Sequence, residues 1–145
     1  MAPCIFCDIL AGRAPGSFVH RDELVAAILD IRPITPGHQL VLPVSHAPSL
    51  AELQPETAAR MFRVAQRLAA ATRASGVLCE GVNLLLADGA AAGQEVFHAH
   101  LHVLPRFAGD GFGFRFPASH GAIAPRAELD RIAEAIRARA GVWSG

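Results

Sequence analysis

Apolar residues recur along this chain with two different periods, and the switches between them divide it into elements. Ile5, Phe6, Ile9 and Leu10 stand at helical spacing ahead of Gly12 and Pro15, which predicts a short helix ending near Ala11. Three brief apolar-rich runs follow, Ser17 to His20, Val25 to Leu29 and Gln39 to Leu42, separated by Arg21-Asp22-Glu23 and Pro33-Ile34-Thr35-Pro36-Gly37. Their lengths and turn-forming boundaries read as strands of an antiparallel meander. From Pro55, a favourable first-turn residue, Ala58, Met61, Phe62, Ala65, Leu68 and Ala69 mark one face of a long helix that stops at Gly76. Arg60, Arg63, Arg67 and Arg73 on its other face read as a solvated surface. Two more strands, Gly81 to Ala87 and Phe97 to Pro105, flank the glycine-containing loop 88–95. After Arg106 the chain through Pro117 is rich in Gly and Phe without a clean period, a loop or lid whose phenylalanines could cover a ligand. A last helix from Arg126 to Ala140 follows Pro125 and carries Leu129, Ile132, Ala133, Ile136 and Ala140 on one face.

At 145 residues the chain is expected to form one domain with a core of its own. Its 13 basic and 13 acidic residues balance, so no global field points to nucleic acid or an anionic membrane as partner. The N-terminal residues show neither a signal-peptide pattern nor a membrane-spanning run, and the chain reads as cytoplasmic. Two of the three cysteines form Cys4-Ile5-Phe6-Cys7, which in a reducing compartment suggests metal or redox chemistry before a disulfide. Cys79 stands apart and reads as a small buried hydrophobe.

The chemistry concentrates in His98-Ala99-His100-Leu101-His102-Val103-Leu104. In a strand, alternation puts three imidazoles on one face, where burial demands partners: a metal, a phosphate or each other. A catalytic zinc held by all three is one reading, although residues two apart on a strand are about 7 Å apart and the third ring must lean hard to reach the ion. The other makes the middle histidine a nucleophile toward phosphorus, with its neighbours orienting it and contacting phosphate oxygens. Gly89, Gly93 and Gln94 favour the second, since their main-chain N–H groups and the amide side chain could bind those oxygens.

This stretch resembles the signature of the histidine triad (HIT) superfamily of nucleotidyl hydrolases and transferases. The resemblance extends through Gly93-Gln94-Glu95-Val96-Phe97 and Pro105-Arg106, and back to Cys4-Ile5-Phe6-Cys7-Asp8-Ile9, Asp30-Ile31-Arg32-Pro33, Pro36-Gly37-His38 and Val41-Leu42-Pro43. It implies an α+β, HIT-like fold: an antiparallel sheet of about five strands with one long helix and a C-terminal helix. One such domain would occupy 1–145, with a C-terminal extension from about residue 108.

By the same resemblance, His100 attacks the α-phosphorus of a purine nucleotide and forms a nucleotidyl-histidine that water resolves to a nucleoside monophosphate. His102 contacts the phosphate, and His38 completes the cluster. Asp30 accepts the ribose hydroxyls, Phe6, Ile9, Ile28 and Leu40 wall the base, and Gly93, Gln94, Glu95 and Val96 line the phosphates. For the four apolar residues, plain core is the competing expectation. The zinc-binding branch of the superfamily implies a structural Zn2+ on Cys4, Cys7, His46 and His98, which removes His98 from catalysis; no redox cofactor is implied. Two positions depart from the family pattern, Ala87 where many relatives carry asparagine and Glu95 where several carry serine or threonine, and Asp88 can partly replace the missing polar group. Homodimerisation is the family's habit. The expected substrates are purine nucleoside phosphoramidates, acylated adenylates or dinucleoside polyphosphates. A nucleotide-binding module with little turnover and a three-histidine zinc hydrolase are the competing functions.

Overall fold

The computed structural model describes residues 3–141. By internal contacts the chain divides into two units, 1–112 and 113–145. The first contains a short helix α1 (Ile5–Leu10), strands β1 (Phe18–Arg21), β2 (Val25–Leu29) and β3 (Gln39–Pro43), the long helix α2 (Pro55–Ala74), and strands β4 (Gly81–Leu86) and β5 (Leu101–Arg106). All neighbouring strands are antiparallel, in the order β1-β2-β3-β5-β4. This is the sheet of five strands expected from the sequence, with the long helix and a C-terminal helix, α3 (Arg126–Ala140), in the second unit.

Alternation along the strands sorts the sheet into two faces. Val25, Ala27, Val41, Leu101 and Val103 pack with Met61, Val64 and Ala65 of α2. On the opposite face Ile28, Leu40 and Leu42 pack with Phe6 and Ile9 of α1. Register carries that second face across the sheet, Ile28 opposite Leu40 and Leu40 opposite His102. His102 is therefore delivered to the α1 side by the same parity that sends Val103 to the α2 side.

Helix α1 has six residues, too few to persist alone. It is held by burying Phe6, Ile9 and Leu10, each worth roughly 1.5–3 kcal/mol. Helix α2 starts at Pro55 as expected, but its buried stripe is Met61, Val64, Ala65 and Thr72. Phe62 does not belong to it and is 59% exposed, since one residue from Met61 is a rotation of about 100° out of the packed face. Nor is Arg60 a solvated cation, because its guanidinium pairs with Asp22 at 2.7 Å. Cys79 is half-buried, not buried, and its thiol donates to the Gly81 carbonyl at 3.2 Å.

In the second unit, Phe116 stacks on His120 with ring centroids 4.1 Å apart. Helix α3 has the predicted bounds, yet none of its residues is buried. Among the described residues no helix is long and apolar enough to cross a membrane.

Candidate active site and metal centre

The histidine ladder is not one strand. Strand β5 begins at Leu101, so Phe97 to His100 lies outside it, contrary to the expected Phe97 to Pro105. Upstream of Leu101 the chain is held by a backbone bond from the Ala99 N–H to the Ala47 carbonyl at 2.7 Å, and by the side chains of the two histidines themselves. That freedom lets His98 turn away from His100 and His102.

The His98 ring is fully buried and points at the cysteines. Its Nε2 lies 2.9 Å from the Pro43 carbonyl, which can only accept, so the proton sits on Nε2 and Nδ1 keeps a lone pair. That Nδ1 lies 3.5 Å from Cys4 Sγ, 3.6 Å from Cys7 Sγ and 3.2 Å from His46 Nδ1, while Cys7 Sγ is 3.3 Å from His46 Nδ1. A tetrahedral zinc, with Zn–S of about 2.3 Å and Zn–N of about 2.0 Å, sets its ligand atoms roughly 3.3–3.8 Å apart. These four separations match that range, all pairs lie within 4.8 Å, and the donor set is that of a closed Cys2His2 site, with the Pro43 carbonyl fixing the tautomer of one ligand. Burial, then the neighbouring Cys4 thiol, hold the Cys7 pKa above its usual value, which favours the neutral thiol.

His100, also buried, is oriented by main chain. Its Nδ1 lies 2.8 Å from the His98 carbonyl, so Nδ1–H donates and Nε2 carries the lone pair. Beside it is His102, ring centroids 4.8 Å apart. The tautomer of His102 follows from a chain of donors. The Ile34 main-chain N–H donates to His38 Nδ1 at 3.2 Å, His38 Nε2–H then donates to His102 Nδ1 at 2.8 Å, and the remaining proton of His102 is on Nε2. The cluster thus presents a lone pair on His100 and an N–H on His102. Burial, then the His100 and His38 rings, push the His102 pKa down to about 4, and burial likewise lowers His38 and His98, keeping the donor chain neutral.

Asp30 stands at the edge of this cluster, half-buried. Its Oδ1 accepts from the Arg32 N–H at 2.8 Å, and Oδ2 lies 3.7 Å from His38 Nδ1, beyond hydrogen-bond range. Phe6, Ile9, Ile28 and Leu40 come together in one buried cluster with Leu42, and Val96 packs against it. Phe6 touches both histidine environments, its ring centroid 5.8 Å from His98 and 5.2 Å from His100.

The loop before the histidines differs from expectation. Gln94 is buried, and its amide is fully engaged: Nε2 donates to the Pro48 and Val96 carbonyls (2.7 and 3.1 Å) and Oε1 accepts from the Gly89 N–H (2.8 Å). The Gly93 and Gln94 N–H groups close the short turn onto the Ala90 and Gly89 carbonyls. Neither amide nor side chain of Gln94 is free for phosphate; the residue shapes the loop. Asp88 is exposed, and its Oδ1 accepts from the Leu50 N–H at 2.9 Å. Glu95 is exposed. A three-histidine zinc site finds no support either: among the described residues, the ligand atoms that cluster are those of Cys4, Cys7, His46 and His98, and those of Asp30, His38 and His102.

Two functional groups escaped sequence inspection, the Ile34 amide and the Pro43 carbonyl. Both are main-chain atoms that set tautomers, and main chain leaves no mark in residue identity. The only available signal was position, each lying in a segment that already carried a motif residue.

Comparison with known proteins agrees with this fold. The HIT domain family matches residues 11–109. An uncharacterized HIT-like protein of Borreliella burgdorferi is 45% identical over 116 residues, covering 79% of this chain and 84% of that one. A HIT family protein of known structure from Bacillus anthracis superposes with a TM-score of 0.87 at 40% identity, covering 95% of this chain and 97% of the other. A zinc-bound histidine triad family protein from Mycobacterium smegmatis does so with a TM-score of 0.73 at 45% identity, covering 94% of each. A sheet of this order, a buried imidazole oriented by its own main chain and a match over most of the sequence lead to one conclusion: the chain belongs to the HIT family.

Proposed function

We propose that this protein is a nucleotide hydrolase or nucleotidyltransferase that cleaves at the α-phosphorus of purine nucleoside phosphoramidates or dinucleoside polyphosphates, with His100 as nucleophile. The observation that carries this reading is the His100 tautomer. A buried neutral imidazole whose Nδ1–H is fixed on the His98 carbonyl holds its lone pair on Nε2, which is what attack on phosphorus requires.

In the proposed reaction, Nε2 of His100 attacks the α-phosphorus and the P–N or P–O bond to the leaving group breaks. The imidazole gains positive charge as this happens, and the carbonyl dipole at Nδ1 stabilises it. His102 Nε2–H donates to a non-bridging phosphate oxygen, with His38 behind it keeping that proton in place. The leaving group departs with a proton from solvent or the cluster. Water then attacks phosphorus, the P–Nε2 bond breaks, and the monophosphate and neutral His100 are restored. Main-chain N–H groups of Glu95 and Val96, which the hydrogen bonds of the loop leave uncommitted, are the proposed further donors to phosphate, with Gly93 giving the loop its turn. Asp30 Oδ2 is the proposed acceptor for a ribose hydroxyl, and Phe6, Ile9, Ile28 and Leu40 the proposed base wall.

Cys4, Cys7, His46 and His98 are proposed to hold a structural Zn2+, which would tie α1 to the segment bearing His100. The proposed protein partner is a second copy of this chain. Leu129, Ile132 and Ile136 of α3 are 39%, 41% and 63% exposed, an apolar stripe that a subunit contact would cover. Light scattering at micromolar concentration should give a dimer mass.

Wild type and His100→Ala are to be incubated with an adenosine phosphoramidate and with a diadenosine polyphosphate while AMP release is followed. Release by wild type alone supports the reading and ranks the leaving groups. Equal release by both proteins removes His100 as nucleophile, and binding without release by wild type makes the protein a nucleotide-binding module.

A further inference from the structure

One residue and one short helix each face two ways in this site. His98 directs its ring Nδ1 at Cys4, Cys7 and His46, and its main-chain carbonyl at His100 Nδ1. Helix α1 carries Cys7 and is preceded by Cys4 at its N-cap, and between them Phe6 meets the His98 and His100 rings edge-on.

Neither feature is secured by regular structure. His98 and His100 lie upstream of β5, so no sheet ladder fixes the His98 peptide. It is fixed by one backbone bond, from the Ala99 N–H of that peptide to the carbonyl of Ala47, next to His46, and by the buried ring, anchored on the Pro43 carbonyl and on the cysteine cluster. Helix α1 has six residues and no side-chain hydrogen bond at its N-cap, so its placement depends on its buried apolar face, on the Arg21 guanidinium that donates to the Leu10 carbonyl at 2.8 Å, and on the cysteines.

We propose that the Cys4, Cys7, His46 and His98 set positions the nucleophile: a metal ion bound there holds the His98 carbonyl that fixes the His100 tautomer, and holds the Phe6 ring against which His100 packs. His98 and Phe6 are positioning residues. This rests on His100 being the nucleophile and adds a control to it. Without a cation, the lone pair on His98 Nδ1 is left with a thiol or the His46 ring as donor, weaker ties than bonds to a shared metal ion, so the ring and α1 are freer to shift. Movement of the His98 ring pulls on its peptide, which a single backbone bond then holds, and that bond ends on Ala47, beside the ligand His46. The His100 Nδ1–H then loses its acceptor and the two tautomers become comparable. Because the proposed base wall shares α1 with the ligands, nucleotide affinity falls at the same time, and linkage requires AMP to tighten zinc by the factor by which zinc tightens AMP.

The test is long-range 15N–1H spectroscopy of the histidine rings in the zinc-loaded and metal-free full chain. The expected result is His100 as one tautomer, protonated at Nδ1, with zinc, and as a mixture without it, together with AMP affinity about fivefold or more weaker in the metal-free protein. The same single tautomer in both states overturns the proposal, even if metal removal lowers the melting temperature, because that pattern is a purely structural metal. If the metal-free chain loses its sheet by circular dichroism, Cys4→Ser in excess zinc replaces it, retaining three ligands and a loosened α1, and the same two outcomes decide. The tautomer needs no nucleotide. Failure of AMP to bind the zinc-loaded protein would therefore count against the proposed nucleotide chemistry alone, with the positioning role still judged by the spectra.

Discussion

Acidification should unfold this protein through His102. An ordinary imidazole titrates near 6.5, whereas burial and then the neighbouring His100 and His38 rings bring His102 down to about 4. The folded state holds this proton less tightly than the unfolded chain, so as pH falls the unfolded state takes it up first. Stability from His102 is thus fully present above about pH 6.5 and drains away down to about pH 4, below which both states are protonated and the loss levels off. A gap of that size is worth roughly 3 kcal/mol, a large part of the stability of a typical domain. His38 is lowered as well, first by burial, and acts in the same direction. The assay is urea denaturation of wild type and His102→Asn at half-unit intervals from pH 8 to pH 4. Zinc ligands and carboxylates titrate in both proteins, so the difference between the two curves isolates His102 and its coupling to His38. Wild type should lose about 2–3 kcal/mol more than the variant across the window. Parallel curves would refute the assignment of His102 as a neutral imidazole held by His38.

Three further substitutions probe the framework. Gln94→Leu removes an amide whose three hydrogen bonds tie the loop at Gly89 to the Pro48 and Val96 carbonyls, and it should lower stability by about 1–3 kcal/mol in the same urea assay and slow turnover, whereas an unchanged midpoint would mean the loop does not need its clamp. Gly37 precedes His38 with φ +87°, and a Cβ there would lie 2.9 Å from the Val77 side chain, so Gly37→Ala should cost about 1–2 kcal/mol, read as a lowered melting temperature. Phe62→Ser, on the open side of α2, should change stability by no more than about 0.5 kcal/mol; a larger loss would place Phe62 in a contact the described fold does not contain.

Legibility of the sequence tracked how local the determining physics is. Strand β2 and helix α3 have the bounds that period and punctuation predicted, because Arg21-Asp22-Glu23 and Pro125 are local signals. That Cys4, Cys7, His46 and His98 come together, and Asp30 and His38 with His102, was an expectation from the family resemblance, since each matches a family position. Their division of labour was not legible in the strand pattern. Alternation of His98, His100 and His102 suggested a single strand face, yet the Pro43 carbonyl, 55 positions from His98, turns that ring toward the cysteines. Gln94 looked like a phosphate ligand because an amide's type says nothing about which carbonyls it meets, and Pro48 is 46 positions away. The triad of His20, Asp22 and Arg60 was unreadable for the same reason: Arg60 reaches Asp22 across the packing of a helix on a sheet.

The central claim is that His100 forms a covalent bond to phosphorus. Rapid acid-free quenching of zinc-loaded protein with an adenosine phosphoramidate, followed by peptide mass spectrometry, tests it directly. The account predicts an adenylylated peptide containing His100 that forms before AMP appears and is lost on incubation with water. Turnover in which no histidine is adenylylated at any time, or an adduct on His102 that persists in His100→Ala, would contradict it.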